Sequence, residues 1–83
     1  MPKIEFSKRA IKDLNLIKQA KLESKVGKLL QIIGSNPFQN PPPYEKLSGY
    51  LNRYSRRINY QHRLVYTICD DTIKINSMWT HYE

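Results

Sequence analysis

Among its 83 residues the chain has one cysteine, three glycines and two histidines. The lone Cys69 cannot close an internal disulfide and has no second thiol with which to build a metal site, which favours a reducing compartment. It sits in an apolar run ahead of Asp70 and Asp71, where it reads as a packed strand residue rather than a nucleophile. No stretch nears the ~20 consecutive apolar residues that a membrane-spanning helix needs. Met1 to Phe6 is not followed by the apolar segment of a secretion signal. Acidic side chains are scarce too: seven Asp and Glu stand against fourteen Lys and Arg, for a net charge of +7. That excess suits a polyanionic partner, whether nucleic acid, an anionic membrane or an acidic protein, and does not choose among them.

A chain of this length makes one domain, residues 1–83, with a thin core. Lys3-Ile4-Glu5-Phe6 alternates as a short strand with Ile4 and Phe6 on the buried side, and Ser7 offers a hydroxyl cap for a helix. In that helix Ala10, Leu14 and Ile17 share a face, with Ile11 on its flank. A second helix is predicted from about Lys21 to Ile33, on the spacing of Leu22, Val26, Leu29 and Ile33, and Gly34-Ser35-Asn36-Pro37 ends it. Pro41, Pro42 and Pro43 stiffen the next loop into an extended shape that delivers Tyr44 to Leu47. Three strands follow: Tyr54 to Asn59, His62 to Ile68 and, after an Asp70-Asp71 turn, Thr72 to Trp79. The predicted fold class is α+β: an N-terminal strand, a helical hairpin, then a largely antiparallel sheet. Leu64, Tyr66 and Ile68 should meet the helices, leaving Arg63 on an open, basic face.

Cutting RNA without a metal needs a base for the 2′-hydroxyl, an acid for the departing 5′-oxygen and a fixed cation for the crowded phosphorane. One set of residues fits. Glu45 is the only acidic residue between Glu23 and Asp70; it is either such a base or a surface carboxylate paired with Lys46. His81, near the C-terminus, can donate a proton near neutral pH, or is simply exposed. Arg63 opens the most apolar strand, and its planar fork suits phosphate, although an ordinary charge on a solvated face would look the same. His62 falls on the Leu64 side and reads as structural. One carboxylate with no second acidic ligand nearby is poor for Mg²⁺, so no metal and no cofactor is expected. Tyr50, Arg53, Tyr54, Arg56, Arg57, Tyr60 and Arg63 interleave aromatic and basic side chains, a pattern that holds RNA by charge and stacking or packs a small sheet. Taken alone, these residues support a basic α+β domain that binds nucleic acid.

The segments Glu45-Lys46-Leu47, Tyr54-Ser55-Arg56-Arg57-Ile58, His62-Arg63-Leu64-Val65-Tyr66 and Trp79-Thr80-His81-Tyr82 resemble, in order and spacing, the YoeB toxin family of the RelE superfamily. The resemblance covers the C-terminal half, and the front half is compatible with it. It implies a RelE-like fold and a metal-independent endonuclease that cuts messenger RNA in the ribosomal A site. It further implies a cytoplasmic protein, away from membranes, neutralised by a YefM-like antitoxin. By position Glu45 resembles the family's general base, His81 its general acid, Arg63 its phosphate-stabilising arginine and Tyr82 the tyrosine that orients substrate. Arg57 matches a supporting basic residue, and Lys46 and Arg56 complete the expected substrate-binding set. Two features depart from the pattern: Gln61 stands where some relatives have glutamate, and Glu83 follows Tyr82. Strict alternation also puts His81 on the side of Ile73 and Ile75, so a bulge or strand end between Ser77 and Thr80 has to re-aim it. Two other functions stay open, a ParE-like inhibitor of a protein target and an RNA-binding module that does not cleave. The oligomeric state is open as well, a homodimer among the options.

Overall fold

The computed structural model describes residues 3–79. Strand β1 (Lys3–Phe6) leads directly into helix α1 (Lys8–Gln19), and Ser7 caps it by accepting the Ala10 amide at 3.0 Å. Lys21, at φ 58°, turns the chain back, and helix α2 runs over Glu23–Ser35. The observed start lies two residues after the predicted one, because the left-handed Lys21 cannot be helical. Gly34 stays inside α2, where an added Cβ would come within 3.3 Å of Ile4 Cδ1 on β1, so its lack of a side chain serves close packing. Strands β2 (Tyr44–Lys46), β3 (Arg53–Arg57), β4 (Arg63–Cys69) and β5 (Thr72–Ser77) follow.

The five strands form one sheet in the order β1-β5-β4-β3-β2. All neighbours are antiparallel except β1, which runs parallel to β5. The expected α+β class and its largely antiparallel sheet are what the structure shows. One face of the sheet carries the core, where Leu64, Tyr66, Ile73, Ile75 and Met78 meet Ala10, Ile17, Val26, Leu29 and Ile33. Burying such side chains, each worth roughly 1.5–3 kcal/mol, is the main force holding the helices on. Ile4 packs against this core, but Phe6, at the sheet edge, keeps 38% of its surface exposed, so the expected burial of β1 is only partial. The opposite face is open and carries Arg63, Val65 and Thr67, as the alternation of β4 predicts.

The Asp70-Asp71 turn forms with Asp70 at φ 53°. In β5 the register is interrupted: Tyr66 faces Ile75, yet Val65 faces Ser77, so Asn76 is an extra residue, a β-bulge. Ile73 and Ile75 are buried, whereas Ser77, of the same parity, lies opposite Val65 on the open face. The sequence called for such a switch between Ser77 and Thr80. It occurs one residue before that range.

Candidate active site on the open face of the sheet

The edge strand β2 places Glu45 opposite Ser55, and Ser55 lies opposite Val65. One step along the ladder Arg57 is paired with Arg63. Side chains of directly opposed residues share a face, so Glu45, Ser55, Arg57 and Arg63 converge. Together with Pro43 and Tyr44 they line a cavity of about 190 Å³. Arg63 Nη1 lies 3.5 Å from Glu45 Oε2 and also donates to Ser55 Oγ at 3.4 Å. The pair is partly open to solvent, with 38% of the Arg63 side chain and 67% of the Glu45 side chain exposed. An exposed pair of this kind contributes at most about 1 kcal/mol to folding. Two guanidinium groups side by side repel each other, and one carboxylate balances only one of them. The cavity is therefore a place where a phosphate, two of whose oxygens can be met at once by a planar guanidinium fork, would be held by charge and by hydrogen-bond geometry.

Two members of the expected substrate-binding set are elsewhere. Arg56 has the opposite parity to Arg57 and is 1% exposed, on the core side of the sheet. Its Nε donates to Tyr66 Oη at 3.1 Å, Nη1 to Pro42 O at 2.6 Å, and Nη2 to Pro37 O and Gln39 O at 3.0 and 2.9 Å. Its guanidinium also lies over the Tyr44 ring. The proline-rich loop thus curls around a buried cation instead of standing out as a stiff spacer, and Arg56 positions the loop that leads to Glu45. Burial pushes the Tyr66 phenol above its ordinary pKa, against the lowering effect of Arg56. Lys46 is exposed and, by alternation, lies on the face opposite Glu45, across from Tyr54. Tyr54 itself turns inward to an edge-to-face cluster with Phe38 and Tyr44, so it offers no stacking surface on the open side.

His81 and Tyr82 lie outside the described residues, but the path of the chain towards them is fixed. The bulge is held on both sides: Thr67 Oγ1 donates to Asn76 Oδ1 at 2.7 Å, and Ser7 Oγ donates to Asn76 O at 2.8 Å. Beyond it, the Met78 amide donates to Asp13 Oδ2 at 3.0 Å, and the Trp79 ring stacks on His62 with centroids 3.7 Å apart. His62 is buried, as expected of a structural residue. Sequence reasoning missed Ser55 and Asp13. Ser55 carried no signal beyond its place between two basic residues. Asp13 did carry one, a carboxylate three residues after Ala10 and four before Ile17, inside the apolar stripe of α1. Among the described residues no group of three or more His, Cys, Asp or Glu is placed to hold a metal, and no helix is long and apolar enough to cross a membrane.

The model of the YoeB-like toxin of bacterial type II toxin–antitoxin systems matches residues 6–82. The chain belongs to this family. It is 43% identical over 67 residues to toxin YoeB of Synechocystis sp., covering 76% of this chain and 74% of the relative. To toxin YoeB of Escherichia coli K12 it is 35% identical over 66 residues, with 75% of each chain covered. Among solved structures, a YoeB–YefM complex from Staphylococcus aureus superposes with a TM-score of 0.83 at 41% identity, covering 99% of both chains. The E. coli DinJ–YafQ complex superposes with a TM-score of 0.85, at 21% identity and coverage of 98% and 94%, a likeness of fold. The chain is thus a YoeB-like toxin, and the resemblance seen in its C-terminal half extends over nearly its whole length.

Proposed function

We propose that this toxin is an endoribonuclease that cuts messenger RNA by attack of the neighbouring 2′-hydroxyl, with no metal. The observation that carries the reading is the Glu45–Arg63 pair in a cavity shared with Arg57. A scissile phosphate entering the cavity competes for both guanidinium groups and releases Glu45 from its ion pair. Glu45 then takes the 2′-hydroxyl proton, the 2′-oxygen bonds to phosphorus, and the bond from phosphorus to the 5′-oxygen breaks. His81 supplies the proton that the leaving oxygen needs, and Tyr82 orients the substrate. Arg63 and Arg57 hold the extra negative charge of the phosphorane. The products are a 2′,3′-cyclic phosphate and a 5′-hydroxyl. DNA, without the 2′-hydroxyl, is not a substrate for this chemistry. The bulge at Asn76 supports the assignment of His81, because it takes Ser77, of the same parity, to the open face opposite Val65.

The ribosome is the setting in which the mRNA is presented, in the A site, and the cytoplasm the compartment. An exposed, incomplete charge set needs its substrate ordered by something else. A YefM-like antitoxin is the partner, as in the complex known for the S. aureus relative; a homodimer has a parallel in the YoeB dimer from the same organism. An acidic segment, disordered alone, would fold over Arg57 and Arg63 and place its carboxylates where the phosphate goes.

The test is primer extension on mRNA in a translating extract. Wild-type protein should give discrete cleavage stops. Glu45→Gln and His81→Gln should each reduce them by about 10²-fold or more, on the scale of a positioned acid or base, with circular dichroism unchanged. Full cleavage by either variant removes that residue from the mechanism.

A further inference from the structure

Two contacts described above hold the same short piece of chain, and neither belongs to the open-face cavity. Helix α1 contributes Asp13, a carboxylate 1% exposed, whose Oδ2 accepts the Met78 amide where the chain leaves β5. The residue just before β4 is His62, 4% exposed, stacked on Trp79 with an interplanar angle of 21°. A buried carboxylate is a poor way to fill an apolar helix face, since desolvating it is unfavourable unless hydrogen bonds repay the loss. Here the hydrogen bond is spent on a main-chain amide beyond the end of the strand, which no sheet partner serves. The stacked histidine is the residue directly before Arg63, and the tryptophan is two residues before His81.

We propose that Asp13 and His62 form a two-point clamp that aims the C-terminal segment at the cavity, Asp13 by fixing the Met78 main chain and His62 by seating the Trp79 ring against the core. This rests on the reading that His81 and Tyr82 act in cleavage. Both are positioning residues: they act through residues 78 and 79 and do not touch the RNA. The clamp separates two tasks. The cavity of Glu45, Arg57 and Arg63 is built by the sheet and the end of the proline-rich loop, and binds phosphate whether or not the clamp holds. The proton donor arrives only when the clamp holds. Loosening it therefore lowers the rate of the chemical step and leaves substrate affinity nearly unchanged, as expected when a positioned group is lost from the transition state only.

The experiment uses the full chain and its single tryptophan, Trp79. Asp13→Ala and His62→Ala are compared with the conservative variants Asp13→Asn, whose amide oxygen can still accept the Met78 amide, and His62→Phe, which can still stack. Two quantities are read: acrylamide quenching and anisotropy of Trp79, and single-turnover cleavage of mRNA on programmed ribosomes, with rate and half-saturation resolved. The alanine variants should make Trp79 more quenchable and slow cleavage at saturation by ten-fold or more, with half-saturation changed less than three-fold. The conservative variants should stay within about three-fold of wild type. In a His81→Gln background the alanine changes should have no further effect on rate, because the group they aim is already gone. Slowing of the same size in that background, or wild-type quenching and rate in both alanine variants, overturns the clamp. Should an alanine variant unfold, the pair on the other side of the clamp still decides. If His81→Gln itself cleaves like wild type while Trp79 loosens as expected, the clamp stands as a structural device and the assignment of His81 as the acid is what fails.

Discussion

In the free protein Glu45 and Arg63 neutralise each other at 3.5 Å, and among the described residues lining the cavity Arg57 is left as the further cation. In the proposed mechanism the value of Arg63 lies in the planar fork of its guanidinium, which can hold two phosphate oxygens at once. Arg63→Lys should therefore lose most of the cleavage rate while keeping most RNA binding, and Arg63→Ala should fall by about 10²–10³-fold, the range seen when a preorganised donor to a transition-state oxygen is removed. Single-turnover kinetics beside filter binding would separate the two effects; a lysine variant as fast as wild type would reduce Arg63 to one more surface charge. Arg56 obeys different physics. Three of its four hydrogen bonds tie β3 to the loop of Pro37, Gln39 and Pro42, and the fourth reaches the Tyr66 hydroxyl on β4. Arg56→Ala would take the donor from the part-buried Pro42 and Gln39 carbonyl groups and from the Tyr66 hydroxyl, and should cost about 3 kcal/mol, a large share of the ~5–10 kcal/mol that holds a small domain. Urea unfolding should show it as a lower midpoint. A midpoint like that of wild type, with loss of RNA binding, would return Arg56 to the substrate site.

At the scale of elements, the contact of α1 with β5 holds the bulge and the chain that leaves it. The Ser7 hydroxyl is used in both directions, accepting the Ala10 amide as the helix cap and donating to Asn76 O at the bulge. Ser7→Ala should then cost roughly 1–3 kcal/mol, a lost cap plus a lost tertiary bond. Ser7→Asp, ordinarily a good cap, should recover little of it, because a carboxylate cannot donate and would face the Asn76 carbonyl. Thermal melts of the two variants decide; full rescue by aspartate would mean that the bond to the bulge carries no weight. Periodicity made most elements legible: α1, the hairpin at Asp70-Asp71 and the faces of β4 follow directly from it. It misplaced the start of α2, since nothing in the sequence announces that Lys21 takes a left-handed conformation. The expectation of a bulge was readable from parity, because strict alternation put position 81 on the side of Ile73 and Ile75. Its position was not, because Asn76 is chosen by tertiary bonds to Thr67 and Ser7. Glu45, Arg57 and Arg63 were legible as a group through family resemblance, whereas Arg56 was misread: parity alone separates it from Arg57, and a run of two arginines conceals which one is inside.

Over the whole molecule the charge is not gathered at the cavity. Half of the fourteen basic residues lie between Lys8 and Lys28, on the helices and the turn between them, where only Asp13 and Glu23 oppose them. Long-range attraction to a polyanion is thus spread over both faces, while the groups suited to chemistry sit on one. In the proposed mechanism these groups use the RNA's own 2′-hydroxyl, and the fragment ends report on that directly. mRNA cleaved by the wild-type protein on intact, cross-linked ribosomes, with EDTA present, would be analysed for the 3′ end of its upstream fragment by mass spectrometry, with Glu45→Gln as the control. The predicted result is a 2′,3′-cyclic phosphate or its 3′-phosphate hydrolysis product, formed at the wild-type rate and about 10²-fold more slowly by the variant. A 3′-hydroxyl end, or cleavage that needs a divalent ion on ribosomes shown to be intact, would contradict it.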